Sequence, residues 1–248
     1  MNNLSSHMKI AIAAGVTVAA AGIGYFIIQN SRKASGSGGK RKVDQITKEQ
    51  VIQIIDEIAM AQQKMKTITQ TAIAEVLSKK LKFDEAYDYC VKIQPSDPLQ
   101  KYGLTTGDFD LLLDREQHDH NVRERLAKIM GMSESADELG SATAVPRKSL
   151  DLKQLIAIHE YMLEELKLVS VSVDKKLQNG AGTDMRALAV AAQVLVGAKV
   201  QEKFGVDTDD IESSIIRNHE QLSKDNRFGT VNEEIQRLMA RFFDIQTM

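Results

Sequence analysis

IAIAAGVTVAAAGIGYFII, from Ile10 to Ile28, is a run of nineteen residues without a charged side chain. An α-helix rises 1.5 Å per residue, so about 20 such residues cover the roughly 30 Å hydrocarbon core of a bilayer. The run therefore predicts one transmembrane helix that contacts the lipid bilayer. The remaining residues are expected to form a domain that this helix holds at a membrane.

The charges on the two sides of this run differ. Only His7 and Lys9 precede it, whereas five basic residues follow it, at Arg32, Lys33, Lys40, Arg41 and Lys42. Basic residues beside a membrane helix stay on the cytoplasmic side. The pattern therefore predicts a signal anchor whose large C-terminal domain faces the cytosol.

A short tail, a moderately hydrophobic span rich in alanine and glycine, and a basic flank resemble the signal anchors of mitochondrial outer-membrane proteins, import receptors included. The resemblance covers about the first 40 residues and implies a single-pass protein of the mitochondrial outer membrane. Anchors of peroxisomes, the endoplasmic reticulum and inner membranes share much of the same pattern, so these membranes stay open as alternatives.

Two other interpretations of the apolar run fit its sequence less well. A cleaved secretory signal would use the small residues Ala19–Ala21 as its cleavage site, but the apolar run continues from Gly22 to Ile28. A mitochondrial presequence would need arginine and an amphipathic period, and Ile10–Ile28 has neither. The length of the run and its basic flank favour the uncleaved anchor.

The charge of the chain excludes one class of partner. The formal net charge is −2, but residues 1–42 hold six basic and no acidic residues, which leaves 26 basic and 34 acidic residues after position 42. A nucleic-acid-binding domain normally carries a basic face, so nucleic acid is not expected as a partner. Cys90 is the only cysteine, and this suits a reducing compartment.

The domain layout follows from these features. We predict a tail at 1–9, the membrane segment at 10–28, a basic glycine- and serine-rich flexible linker at 29–43 and an all-helical soluble domain at 44–248. Low aromatic content, three prolines and no long alternating pattern favour an all-α fold of about seven helices. A small polar stretch at 131–148 is expected to form an internal loop that separates two helical groups.

Several local patterns predict where helices begin. Thr47 and Gln50 form a capping box for a long amphipathic helix over residues 48–82, and Asp151 with Gln154 caps a second one. Thr230 and Glu233 suggest a further capping box for the last helix. In the long helix a strict heptad would place Gln62 and Thr69 at core positions, which favours packing within a domain over a coiled coil.

Two internal segments carry distinct signals. Residues 83–98, FDEAYDYCVKIQPSDP, resemble the second helix of a tetratricopeptide repeat, but no second copy occurs 34 residues away, so we predict an ordinary helix ended by Pro95. Ala187–Ala198 is uncharged on all sides and too short to span a bilayer. It therefore predicts the buried central helix of a bundle.

No catalytic, cofactor or metal-binding residue is assigned from the sequence. His118 and His120 lie in the densest group of potential metal ligands, but a helix would point them about 200° apart and no third ligand is specified. His159-Glu160 begins like a zinc-protease motif and lacks its second histidine, so His159 is predicted at the boundary of an apolar stripe.

These observations favour a membrane-anchored interaction protein over an enzyme. An adaptor, a receptor-like protein or an accessory subunit of a membrane complex would bind other proteins through its helical surfaces. The alternatives are a membrane-tethered enzyme that uses His118, His120 or His159, and a secreted helical protein with a cleaved signal peptide.

Overall fold

Ten helices follow one another along the residues that the computed structural model describes, which are 43–129, 147–179 and 182–244. Residues 43–45 are also helical, and these three ranges contain no strand, which confirms the all-α class for this part of the chain. The helices are α1 (Lys48–Lys79), α2 (Phe83–Ile93), α3 (Pro98–Lys101), α4 (Thr106–Glu116), α5 (His120–Ile129), α6 (Leu152–Asn179), α7 (Met185–Phe204), α8 (Thr208–Arg217), α9 (His219–Leu222) and α10 (Asn226–Asp244).

The predicted membrane segment at 10–28 lies outside the described residues, as do the tail, nearly all of the linker and most of the loop at 131–148. No helix within the described ranges combines the length and the apolar composition needed to cross a bilayer.

The estimate of about seven helices was too low, because short helices leave little periodic signal in a sequence. α3 has four residues, and the Asp97 carboxylate begins it by accepting a hydrogen bond from the Leu99 amide at 2.9 Å. Asn218 separates α8 from the four-residue α9, so the segment after Asp207 forms two helices instead of one.

Most of the predicted helix starts are confirmed. The Thr47 amide donates to Gln50 Oε1 at 2.9 Å and the Gln50 amide donates to Thr47 Oγ1 at 3.3 Å. Asp151 and Gln154 make the same reciprocal pair at 2.8 and 2.9 Å. Each pair satisfies two of the backbone amides that a helix start leaves without partners.

The capping box predicted at Thr230 is wrong. α10 begins a full turn earlier, at Asn226, because Asp225 Oδ1 accepts a hydrogen bond from the Phe228 amide at 2.9 Å. Thr230 lies inside the helix, where its hydroxyl donates to the Asn226 carbonyl at 2.9 Å. An aspartate is as good an N-cap as a threonine or better, so the earlier start wins.

The described residues form two compact units, and α1 contributes to both. Unit 1 contains residues 43–65 and 95–129. Its core consists of apolar side chains from the helical residues 43–45, from the first half of α1, from α4 and α5, and from the segment around α3: Val43, Val51, Ile54, Ile55, Ile58, Leu99, Leu104, Phe109, Leu112, Leu113, Val122 and Leu126. Arg115 donates to the carbonyls of Val43 and Ile46 at 2.9 and 2.7 Å.

Unit 2 contains residues 66–94, 147–179 and 182–244, and α7 is its central helix. α7 packs against α2 and α6, and α10 packs against α6 and α7. Every residue from Ala187 to Val194 is buried, which confirms the prediction of a buried central helix. Burying a valine or leucine side chain contributes about 1.5–3 kcal/mol, so α7 is a main source of the stability of this unit.

The ends of α2 and α7 are defined by local chemistry. α2 ends at Ile93, before Pro95, as predicted. Asp184 begins α7, because its Oδ1 accepts a hydrogen bond from the Ala187 amide at 3.0 Å. Gly205 ends it in the left-handed conformation, with φ at 65°, and its amide donates to the Gln201 carbonyl at 2.9 Å.

Candidate functional site

His118 and His120, which belong to the densest group of potential metal ligands in the sequence, lie on the surface of unit 1. Both side chains are exposed. Asp119, between them, forms an ion pair with Lys48 at 3.0 Å and accepts hydrogen bonds from amides in the first turn of α5. The Lys48 ammonium lowers the pKa of Asp119. Asp119 therefore caps α5, and no group of three His, Cys, Asp or Glu residues suited to a metal occurs in the described ranges.

His159 is not a boundary residue, contrary to the prediction, because only 1% of it is exposed. Its Nδ1 lies 2.8 Å from the Leu155 carbonyl oxygen, and its ring meets the Phe228 ring edge-on with centroids 4.8 Å apart. The sequence pattern predicts His159 at the edge of the apolar stripe of α6. Phe228, 69 positions further along the chain, packs against its ring and helps to bury it. Burial of this kind depends on residues that are distant in the sequence.

The protonation of His159 follows from these contacts. A carbonyl oxygen only accepts hydrogen bonds, so Nδ1 carries the hydrogen. Burial lowers the pKa of the imidazole below its ordinary 6.5, which keeps the ring neutral near pH 7. Nε2 then carries a lone pair, and it has no hydrogen-bond partner among the described residues. His159 can therefore accept one further hydrogen bond.

His159 lines a cavity of about 280 Å³ inside unit 2. The walls come from the second half of α1, from α6, from α7 and from the start of α8. Their residues are Thr69, Gln70, Ile73, Ala74, His159, Met162, Gln193, Val196, Gly197, Val200, Gln201, Val206, Asp207, Thr208, Ile211 and Ile215. Most of these side chains are apolar, as in the ligand cavities of other proteins.

Three polar side chains in this wall are buried: Thr69, His159 and Gln193, which are 6%, 1% and 7% exposed. Neither the Thr69 hydroxyl nor the Gln193 amide makes a hydrogen bond within the described ranges. None of the three residues has an unpaired polar atom that is fully sealed from solvent. An occupant of the cavity, a ligand or water, can therefore reach these polar atoms and hydrogen-bond them.

The mouth of the cavity is polar and exposed. Gln70, Gln201 and Asp207 are exposed there. Asp207 Oδ1 already accepts a hydrogen bond from the Asp210 amide at 2.8 Å, since Asp207 caps α8. No lysine or arginine appears in the described lining, so the wall offers no positive charge to an anion.

Gly197 on α7 and Ile73 on α1 lie close together in the wall of the cavity. A Cβ atom at this position would lie 2.8 Å from Cδ1 of Ile73, which is closer than real Cβ atoms approach. A larger residue at 197 would push the Ile73 side chain aside. Glycine therefore lets Ile73 lie against the α7 backbone.

An ion cluster joins α1 and α8 within unit 2. Lys66 Nζ lies 2.7 Å from Asp209 Oδ1 and 3.4 Å from Glu212 Oε2. Burial lowers the pKa of Lys66, but the two carboxylates together outweigh burial and raise it. Burial raises the pKa of Glu212, against the charge of Lys66, and its Oε1 has no partner among the described residues.

A second surface feature is an exposed apolar pair on α6. Leu168 is 66% exposed and Val171, three residues later, is 52% exposed. Residues three apart on a helix lie on the same face, so these two side chains form one small apolar patch. We call it the α6 patch.

Sequence reasoning missed three members of the cavity and the ion cluster. The burial of Thr69 could have been recognised from the sequence, because it occupies a core position in the heptad pattern of the long helix. Gln193 is the only polar side chain in the otherwise apolar run Ala187–Ala198. Lys66 left none, since it lies on the Gln- and Lys-rich face of the predicted helix and its partners follow more than 140 positions later.

Comparisons with protein-family models, with the sequences of curated proteins and with solved structures gave no match.

Proposed function

We propose that this protein is a membrane-anchored, all-helical interaction protein that acts as an adaptor, a receptor-like component or an accessory subunit of a membrane complex. The observation that carries the proposal is the uncharged run from Ile10 to Ile28 with five basic residues directly after it. A run of this length favours insertion into a bilayer, and the basic flank favours retention of the following domain in the cytosol.

The mitochondrial outer membrane is the proposed location. The moderate hydrophobicity of the run and its basic flank support it. A single buried cysteine is compatible with the reducing cytosol, where disulfides are rare. The large domain after Lys42 contains no Asn-x-Ser/Thr sequence, which also agrees with a domain that is not in a glycosylating compartment.

The α6 patch is the proposed contact for a partner protein. Leu168 and Val171 stand out because two large apolar side chains on one helix turn are exposed together. Covering them with the apolar side chains of a partner would remove that surface from water, which stabilises a complex. The helical surfaces of the domain thus supply binding, and the membrane segment supplies location.

Carbonate extraction and protease protection on isolated organelles test the anchor. We expect the full chain to stay in the carbonate pellet, while protease added outside the organelle degrades the domain after residue 43. Val18→Lys with Ile23→Lys should release the chain, since each charge at the centre of a span costs about 2.5–3.5 kcal/mol. The control pair Val18→Leu with Ile23→Leu should stay in the pellet.

Two outcomes would overturn this proposal. Release of the unmodified chain by carbonate would exclude an anchor. A mature N-terminus near Gly22, found by N-terminal sequencing, would show that the apolar run is a cleaved signal.

Site-specific photocrosslinking tests the α6 patch in the same membranes. A photoreactive residue at position 168 should form a discrete adduct with one protein. The matched control is position 60, because Met60 is 64% exposed, nearly the same as Leu168, but lies in unit 1. Identical adducts from both positions, or none from position 168, would contradict a partner contact at the patch.

A further inference from the structure

We infer that the cavity of unit 2 is a binding site for a small, neutral, mostly apolar molecule whose N–H or O–H group donates a hydrogen bond to Nε2 of His159. This inference does not depend on the membrane anchor or on the α6 patch, because the described lining of the cavity contains neither residues 10–28 nor Leu168 and Val171.

The size of the cavity limits the ligand. An engineered protein cavity of about 150 Å³ binds benzene. At about 280 Å³ this cavity has nearly twice that volume, which is room for two fused rings or a branched aliphatic molecule of similar bulk.

The walls define the polarity of the ligand. Ile73, Val196, Val200 and Ile211 present hydrocarbon to the cavity. Of the described lining residues only His159 and Asp207 can ionise; the former is neutral, and Asp207 caps α8 with one oxygen. An anion would find no positive charge in the wall, and Asp207, the one carboxylate, is exposed at the mouth rather than buried beside the apolar side chains, so a neutral ligand is favoured.

The position of the hydrogen bond follows from His159. Its Nδ1–H is occupied by the Leu155 carbonyl, and Nε2 can only accept. A ligand N–H or O–H group can therefore donate to an acceptor that no described residue pairs. Thr69 and Gln193 can both donate and accept, and they offer a second contact to a ligand with a further polar atom.

Indole and indene form a matched pair of probes for this site. They have nearly the same fused-ring shape, but only indole has an N–H donor.

The measurement uses the full chain in lipid nanodiscs, labelled at the isoleucine methyl groups. Equilibrium dialysis sets the free ligand concentrations, so that partition of the probes into lipid does not affect the comparison. Ile73, Ile211 and Ile215 report on the cavity, and Ile54 in the core of unit 1 is the control methyl.

We expect indole to shift the cavity methyl resonances in a saturable way and to leave Ile54 unchanged. Indene should need about a tenfold higher free concentration, because it leaves Nε2 without a partner. The ¹⁵N resonance of His159 Nε2 should move toward that of a hydrogen-bonded nitrogen with indole and not with indene.

A His159→Phe variant removes the acceptor while keeping an aromatic ring of similar size. Indole and indene should then bind with equal affinity, and the unliganded methyl spectrum shows whether the variant has folded. If it does not fold, the comparison of the two probes on the unmodified chain decides the question alone.

Three results would overturn the inference. The first is that neither indole nor indene gives a saturable shift, which would mean that the cavity holds only water. The second is that indole and indene bind the unmodified chain with equal affinity. The third is that the anion indole-3-acetate binds as tightly as indole.

Discussion

Lys66 Nζ on α1 lies 2.7 Å from Asp209 Oδ1 on α8, and the same ammonium lies 3.4 Å from Glu212 Oε2. One cation thus faces two carboxylates, of which Glu212 is the more buried, with 17% of its side chain exposed against 26% for Asp209. Burying a charge is costly, and the single ammonium offsets only part of that cost for the pair.

This cluster predicts a pH-dependent effect of Glu212→Gln. Burial raises the pKa of Glu212 above its ordinary 4.5, so the folded chain holds this proton more tightly than the unfolded chain. The stabilisation is therefore full below pH 4.5 and is lost as the pH rises through the raised pKa. The variant has no proton to lose at this position.

Urea unfolding from pH 4 to pH 8 measures the difference. The free energy of unfolding of Glu212→Gln, relative to the unmodified chain, should increase as the pH rises above 4.5. Lys66→Met should instead destabilise the fold by about 1–2 kcal/mol at pH 7, because two carboxylates then lack their cation. A relative free energy for Glu212→Gln that stays constant or falls with pH would contradict this assignment.

His159 predicts the opposite pH response. Burial lowers its pKa below 6.5, so the unfolded chain takes up this proton more readily than the folded chain. The contribution of His159 to stability is full above pH 6.5 and is lost as the pH falls below that value. We expect the advantage of the unmodified chain over His159→Phe to shrink between pH 6.5 and pH 5, as measured by the urea midpoint.

The exposed His118 supplies the control for this measurement. His118→Gln is a surface substitution and should change the free energy of unfolding by less than about 0.5 kcal/mol. The same response to pH in both variants would argue against a special role for burial at His159.

Cys90 should be unreactive in the folded chain. It is 0% exposed on α2, and burial raises the pKa of its thiol to about 12. The thiolate is the reactive species, so at pH 8 we expect iodoacetamide to label the folded chain at least about a hundredfold more slowly than the urea-unfolded chain. Mass spectrometry of the labelled peptide gives both rates, and equal rates would show that α2 opens readily.

Two glycines in unit 2 should respond to alanine in opposite directions. Gly205 ends α7 with φ at 65°, a conformation that costs other residues about 1–2 kcal/mol, so Gly205→Ala should be destabilising by about that amount. Gly229 lies within α10, and a Cβ atom there meets nothing within 4 Å. Gly229→Ala should be stabilising by about 0.5–1 kcal/mol. Thermal unfolding of the two variants checks both signs, and the same sign for both would contradict the backbone argument.

The sequence by itself determined most of the helix pattern in the described part of the chain. Thr47 with Gln50 and Asp151 with Gln154 cap helices within three residues of one another, so the local sequence contains the whole interaction. The buried run Ala187–Ala198 was equally clear, because a helix that is apolar on all sides has to be covered. At Thr230 the local rule failed, since Asp225 offers an earlier cap.

Only the tertiary structure decided which polar residues matter. His159 meets Phe228, Lys66 meets Asp209, and Thr69 shares a cavity wall with Gln193, and each pair is separated by more than 60 positions. Burial and electrostatic environment depend on all the neighbours in space, and helical periodicity specifies only which face of a helix is covered. The sequence therefore shows which residues are polar. Only the packing of the helices shows which of them share the cavity or the ion cluster.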